Sequence, residues 1–124
     1  MADEMERLES YLRNINSYTS KIDCYGLYDA TQKFCESVRK LTASNNIILS
    51  KSIDALAALS SVADSQNGSL EGNINTAEQA FNLLQSDIQK LYEGMPHSKQ
   101  IKQYARQINY SLRNMAEMET RASW

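Results

Sequence analysis

The ~36 residues from 29 to 64 contain neither glycine nor proline, and as one helix they would run roughly 54 Å at ~1.5 Å per residue. A rod that long and that apolar cannot stand alone in water, so the rest of the chain must give it something to pack against. Its seam reads Phe34, Val38, Leu41, Asn45, Ile48, Ser52, Ala55, Leu59 and Val62, flanked by Cys35, Leu49, Leu56 and Ala63. Asn45 and Ser52 interrupt the seam at mid-length. A seam asparagine fixes register or partner number at a cost in stability, or else Asn45 and Asn46 mark a frayed or kinked spot; the sequence supports both equally. Beyond this point Ile47 and Ile53 project away from the seam, while Ala55, Ala57, Ala58, Ser60, Ser61 and Ala63 keep the surface small. A helix apolar on several sides is buried by more than one neighbour. Residues 47–63 are therefore expected at the centre of a bundle or against another chain, with Ile47, Leu49, Ile53, Leu56 and Leu59 as a partner interface.

The flanking segments are helical by the same periodicity. Asp3 followed by Glu6 resembles a cap with a carboxylate one turn on, and the acidic first turn suits the positive end of a helix dipole. Leu8, Tyr11, Ile15, Tyr18, Ile22 and Tyr25 then recur three and four residues apart, with Met5 and Leu12 widening the face. Tyrosines at core spacing read as core with hydroxyls at the bundle edge, in preference to a stacking ladder for bases. Gly26 falls where this stripe loses phase, and a break or bend near residues 24–28 follows. Residues 66–72, with Asn67-Gly68 and Gly72, form the clearest turn. Asn73 or Asn75 is expected to cap a third helix with the seam Ile74, Ala77, Phe81, Leu84, Ile88, Leu91, stopped by Gly94 and Pro96. Ser98 can cap the last, whose face is Ile101, Tyr104 or Ala105, Ile108, Leu112, Met115 and Met118. The terminal Trp124 is read as an anchor docking on a neighbour.

These signals give one all-α domain spanning residues 1–124, with helices over about 3–25, 28–65, 73–93 and 98–120. An antiparallel bundle of about four helices with coiled-coil packing is the expected fold. The alternative is an elongated hairpin reversed at 66–72, with each arm broken once.

Chemistry is harder to find. His97 is the only histidine, so one chain cannot build a multi-histidine metal site. Carboxylates are scattered, serine has no recognisable activating partner, and no phosphate-loop, dinucleotide or CxxC motif occurs. The expectation is a protein that is not an enzyme and needs no metal or cofactor. Cys24 and Cys35 would lie roughly 16 Å apart on one helix, beyond disulfide reach, and are read as reduced. A net charge of -2 gives no global reason to bind nucleic acid. Locally, Lys99, Lys102, Arg106 and Arg113 fall within roughly 60° on the last helix, away from its apolar face. That basic stripe could track phosphates, which leaves nucleic-acid binding a minor possibility beside an ordinary solvated face. No apolar run reaches the ~20 residues of a membrane span, and the N-terminus is acidic where a secretory signal is basic. A soluble, cytoplasmic protein is expected, with non-classical export an option.

The resulting expectation is a non-enzymatic helical interaction or assembly module, acting as a homo-oligomer or in a hetero-complex through the apolar half of its long helix. Tyr25 and Asp29 match a Tyr-x-x-x-Asp/Glu pattern, and Asn67-Gly68-Ser69 stands at the turn where the WXG100 family carries Trp-x-Gly. On the hairpin alternative and the Tyr25–Asp29 spacing, with the turn departing from Trp-x-Gly, the chain resembles the small helical partners and substrates of type VII secretion. That resemblance implies a helical hairpin that folds with a larger secreted effector.

Overall fold

The computed structural model describes residues 2–19, 26–41, 46–65, 69–95 and 97–122. Among them are five α-helices and no strand: α1 (Ala2–Thr19), α2 (Leu27–Leu41), α3 (Asn46–Ala63), α4 (Leu70–Asp87) and α5 (Ser98–Ala122), with a π-helical turn at Ile88–Tyr92 continuing α4. The long segment expected over 28–65 is thus two helices. Segments of one straight helix separated by four residues would lie end to end, yet α2 and α3 also pack against each other. Residues 42–45, between the two helices, lie outside the described residues.

Each helix finds at least two neighbours. α3 lies between α1 and α4, α4 between α3 and α5, and α2 packs mainly on α5 while also touching α1 and α3. The helices therefore enclose one core as a bundle, and the two-arm hairpin does not hold. Paired side chains fix the directions. Lys51 meets Asp87, and Asn73 Nδ2 donates to the Ser61 carbonyl at 3.2 Å, so α3 and α4 are antiparallel. Asn109 Nδ2 donates to Asn82 Oδ1 at 2.9 Å and Lys102 Nζ to Gln89 Oε1 at 2.6 Å, which makes α4 and α5 antiparallel as well. On α1, Asn14 Nδ2 donates to Ser60 Oγ of α3 (2.7 Å) and to Asp64 Oδ1 just beyond it (3.0 Å), and Glu9 pairs with Arg39 of α2.

The core takes the seams read from the sequence. Leu8, Leu12 and Ile15 come from α1, Leu27, Phe34, Cys35 and Val38 from α2, Ile74, Phe81 and Leu84 from α4, and Ile101, Ile108 and Leu112 from α5. Phe34 and Phe81 meet edge to face with ring centroids 5.4 Å apart, the favourable arrangement for two aromatic quadrupoles. α3 is buried on several sides, as its composition required, and the neighbours that bury it belong to this chain.

Three connections differ from expectation in their chemistry. α4 begins at Leu70, three residues before the expected cap at Asn73. Asn73 instead donates to Ser65 Oγ at 2.9 Å and to the Ser61 carbonyl, stapling the α3–α4 turn. Ser98 does not cap α5; its hydroxyl donates backward to the carbonyls of Met95 (2.7 Å) and Glu93 (3.1 Å), while the His97 carbonyl accepts the first α5 bond from the Ile101 amide at 3.1 Å. The left-handed residue in this connection is His97, with φ +68°, and not Gly94. Gly26, at φ +83°, takes a conformation that costs a β-carbon, and its carbonyl accepts the Ala30 amide at 3.0 Å to open α2.

Candidate functional surfaces

The residues of the expected partner interface separate on inspection. Leu49, Ile53, Leu56 and Leu59 are at most 1% exposed, filled in by the chain's own helices, so they form no outward surface. Of the two expectations for residues 47–63, the centre of a bundle and a contact with another chain, these four side chains follow the first, covered by α1, α2 and α4. Ile47 alone of that set stays open, at 53% exposure. Trp124, Asn45, Cys24 and Tyr25 lie outside the described residues.

Two exposed apolar side chains escaped the sequence reading: Leu83 at 61% and Tyr110 at 70%. Their signal was available. Leu83 precedes the seam residue Leu84, and one residue turns a helix by ~100°, which swings Leu83 outward. Lys51 and Asp87 join α3 to α4, and Ile47 and Leu83 stand one turn before each partner on its own helix. Because the helices are antiparallel, the two apolar side chains flank the ion pair from opposite directions on the outer α3–α4 face. Tyr110 lies apart, beside Gly26, Asp29, Ala30 and Gln107 at the α2–α5 junction.

The basic stripe also divides. Lys99, Lys102 and Arg106 line one depression of about 490 Å³ together with Ile88, Glu93, Ser98 and Gln103. Arg113 is drawn away by Glu78, to which its Nη2 donates at 3.1 Å. Glu78 lies at the edge of the buried face, its side chain 12% exposed, and its carbonyl accepts Asn109 Nδ2 at 3.2 Å. The π turn at Ile88–Tyr92 had no compositional sign, and it leads into the wall of this depression.

Among the described residues no group of three His, Cys, Asp or Glu side chains is placed to hold a metal ion. Cys35 is fully buried, and desolvation pushes its thiol from the usual 9.0 up to about 12; the nearby Arg39 acts weakly in the opposite sense, Glu9 and Glu36 in the same one. A thiol so held is a poor nucleophile. Asp29, half of the Tyr-x-x-x-Asp pattern, pairs with Lys33 at 3.0 Å. No described helix is long and apolar enough to cross a membrane.

No family model, characterised protein or solved structure matches this chain. Its surfaces must therefore be interpreted from their own chemistry.

Proposed function

We propose that the protein is a non-enzymatic helical interaction module that associates through the outer α3–α4 face, with a second copy of the chain as its first partner. The observation that supports this reading is the pair Ile47 and Leu83, the isoleucine and leucine side chains left exposed among the described residues, set on either side of the Lys51–Asp87 ion pair. A face carrying one apolar group at each end and both signs of charge between them is self-complementary under a two-fold axis. Ile47 then meets Leu83 of the second copy, and the reverse. Full burial of a Leu or Ile side chain contributes about 1.5–3 kcal/mol, so covering the exposed half of each contributes about 1 kcal/mol.

Sedimentation velocity across a concentration series from micromolar upward tests the reading. Association is expected to be reversible, and Leu83→Ser, which acts twice in a two-fold interface, should weaken it by about 2 kcal/mol, or roughly 30-fold. A chain that stays monomeric at the highest concentration, or a dimer indifferent to Leu83→Ser and Ile47→Ser, would remove the reading. The hairpin geometry on which the type VII secretion alternative rested is replaced here by a bundle, and no observation favours that alternative.

A further inference from the structure

Lys99, Lys102 and Arg106 recur at intervals of three and four residues on α5 and open into one depression, whose opposite wall carries a single carboxylate, Glu93. That carboxylate is not joined to any of the three cations by a described ion pair. Gln89 stands between them: its Nε2 donates to Glu93 Oε1 at 3.2 Å, and its Oε1 accepts from Lys102 Nζ at 2.6 Å. Lys99 and Arg106 have no ion-pair partner among the described residues.

This placement runs against local electrostatics. The first turn of α5 holds no acidic residue and does hold Lys99, a cation at the positive end of the helix dipole. Lys102 and Arg106, one turn apart, repel each other. A bound anion would relieve both costs. Among the depression's described lining residues Ile88 is the one aliphatic side chain against three cations, which suits a charged ligand better than an apolar one, and the volume falls within the ~300–1,000 Å³ typical of small-molecule sites. The charge does not continue along the helix. With Arg113 engaged by Glu78, the stripe ends at Arg106, roughly 10 Å of axis from Lys99, too short a track for a polynucleotide strand and suited to a compact anion.

We propose that this depression binds a small phosphate-bearing anion of the di- or triphosphate class. Arg106 supplies a planar guanidinium that matches two phosphate oxygens, and Lys99 and Lys102 supply point charges on either side. Glu93 limits affinity by repelling the anion. The site is independent of the α3–α4 face described above.

Isothermal titration with inorganic tripolyphosphate at low salt provides the test, using the full chain and variants whose thermal melts match it. Saturable one-to-one binding is expected that weakens as salt rises. Arg106→Gln and Lys99→Gln should each weaken it about tenfold, Glu93→Gln should strengthen it severalfold, and Arg113→Gln and Leu83→Ser should leave it unchanged. Absence of saturation at millimolar tripolyphosphate would overturn the proposal. Equal losses from Arg113→Gln and Arg106→Gln would also overturn it, by making the binding a property of diffuse charge. So would tighter binding of a single-stranded oligonucleotide that depends on Arg113, which would assign the stripe to nucleic acid.

Discussion

Three serines of α3 occupy three environments on one helix, and their replacement by alanine separates burial from helix propensity. Ser52 is fully buried, and its hydroxyl has no hydrogen-bond partner among the described residues. Ser60 is nearly buried, and its hydroxyl accepts from Asn14 Nδ2 at 2.7 Å. Ser61 is exposed and donates to the Ala57 carbonyl at 3.2 Å. Ser→Ala in a helix interior gains about 0.5 kcal/mol at every position. At Ser52 it also removes a polar group buried without a partner, a cost of ~1–3 kcal/mol, against a small loss of packing volume. Ser52→Ala should therefore stabilise the fold by about 1–2 kcal/mol, which for a chain of this size raises Tm by about 5 °C. Ser61→Ala should stay within about 0.5 kcal/mol of the parent. Ser60→Ala should lower stability by about 0.5–1 kcal/mol; Asn14 keeps the Ser60 carbonyl and Asp64 Oδ1 as acceptors, which limits the loss. Urea unfolding followed by helical circular dichroism measures all three, with the midpoint moving and the slope unchanged. If Ser52→Ala gains no more than Ser61→Ala, the hydroxyl is not an unpaired buried group and the reasoning fails.

Cys35 should resist thiol reagents at pH 8 in a Cys24→Ser background, labelling only as fast as the chain unfolds; rapid native labelling would contradict its burial. Because its folded pKa is raised from 9.0 to about 12, the stability contributed by keeping the thiol neutral is fully present below pH 9 and is lost as pH rises toward 12. The decline should be visible in urea midpoints taken across that window and absent from Cys35→Ala. Arg113→Ala should cost about 1 kcal/mol, since it strips a donor from the mostly buried Glu78 side chain, whereas Lys33→Ala, at an exposed pair, should leave the urea midpoint unmoved. Gly26→Ala should destabilise by about 1 kcal/mol through its φ of +83° alone, because a β-carbon there meets nothing within 4 Å; a neutral effect would indicate that the backbone relaxes.

The helical class of the fold and the inward faces of its helices were legible because apolar spacing reports directly which side of a helix avoids water. Ile74, Ala77, Phe81 and Leu84, for example, lie where their period places them. The owner of a buried surface was not legible. The composition of α3 required several neighbours, and only tertiary contacts reveal that α1, α2 and α4 supply them. The separation of α2 from α3 was half visible in Asn45 and Asn46, since the same residues suit a register device or a break. Spacing put four cations on one side of α5, but it could not foresee that Glu78 takes one of them out of the group. At the caps, Asn73 and Ser98 are residue types that favour helix starts, yet each spends its side chain tying the preceding connection. Local sequence carries the preference for bonding nearby backbone and leaves open which carbonyl is chosen.

The order of packing has a kinetic consequence. α3, α4 and α5 follow one another along the chain and pack as successive antiparallel neighbours, with Asn73 already drawing the first turn closed. Such contacts form with little loop entropy. α2 finds its main partner, α5, near the opposite end of the sequence, and α1 must reach past α2 to α3. Closing those long loops is the slow and costly step. The three C-terminal helices are thus expected to fold first. Under native conditions, amide exchange should release α1 and α2 first, exposing the apolar sides of α3 that they cover in the closed bundle.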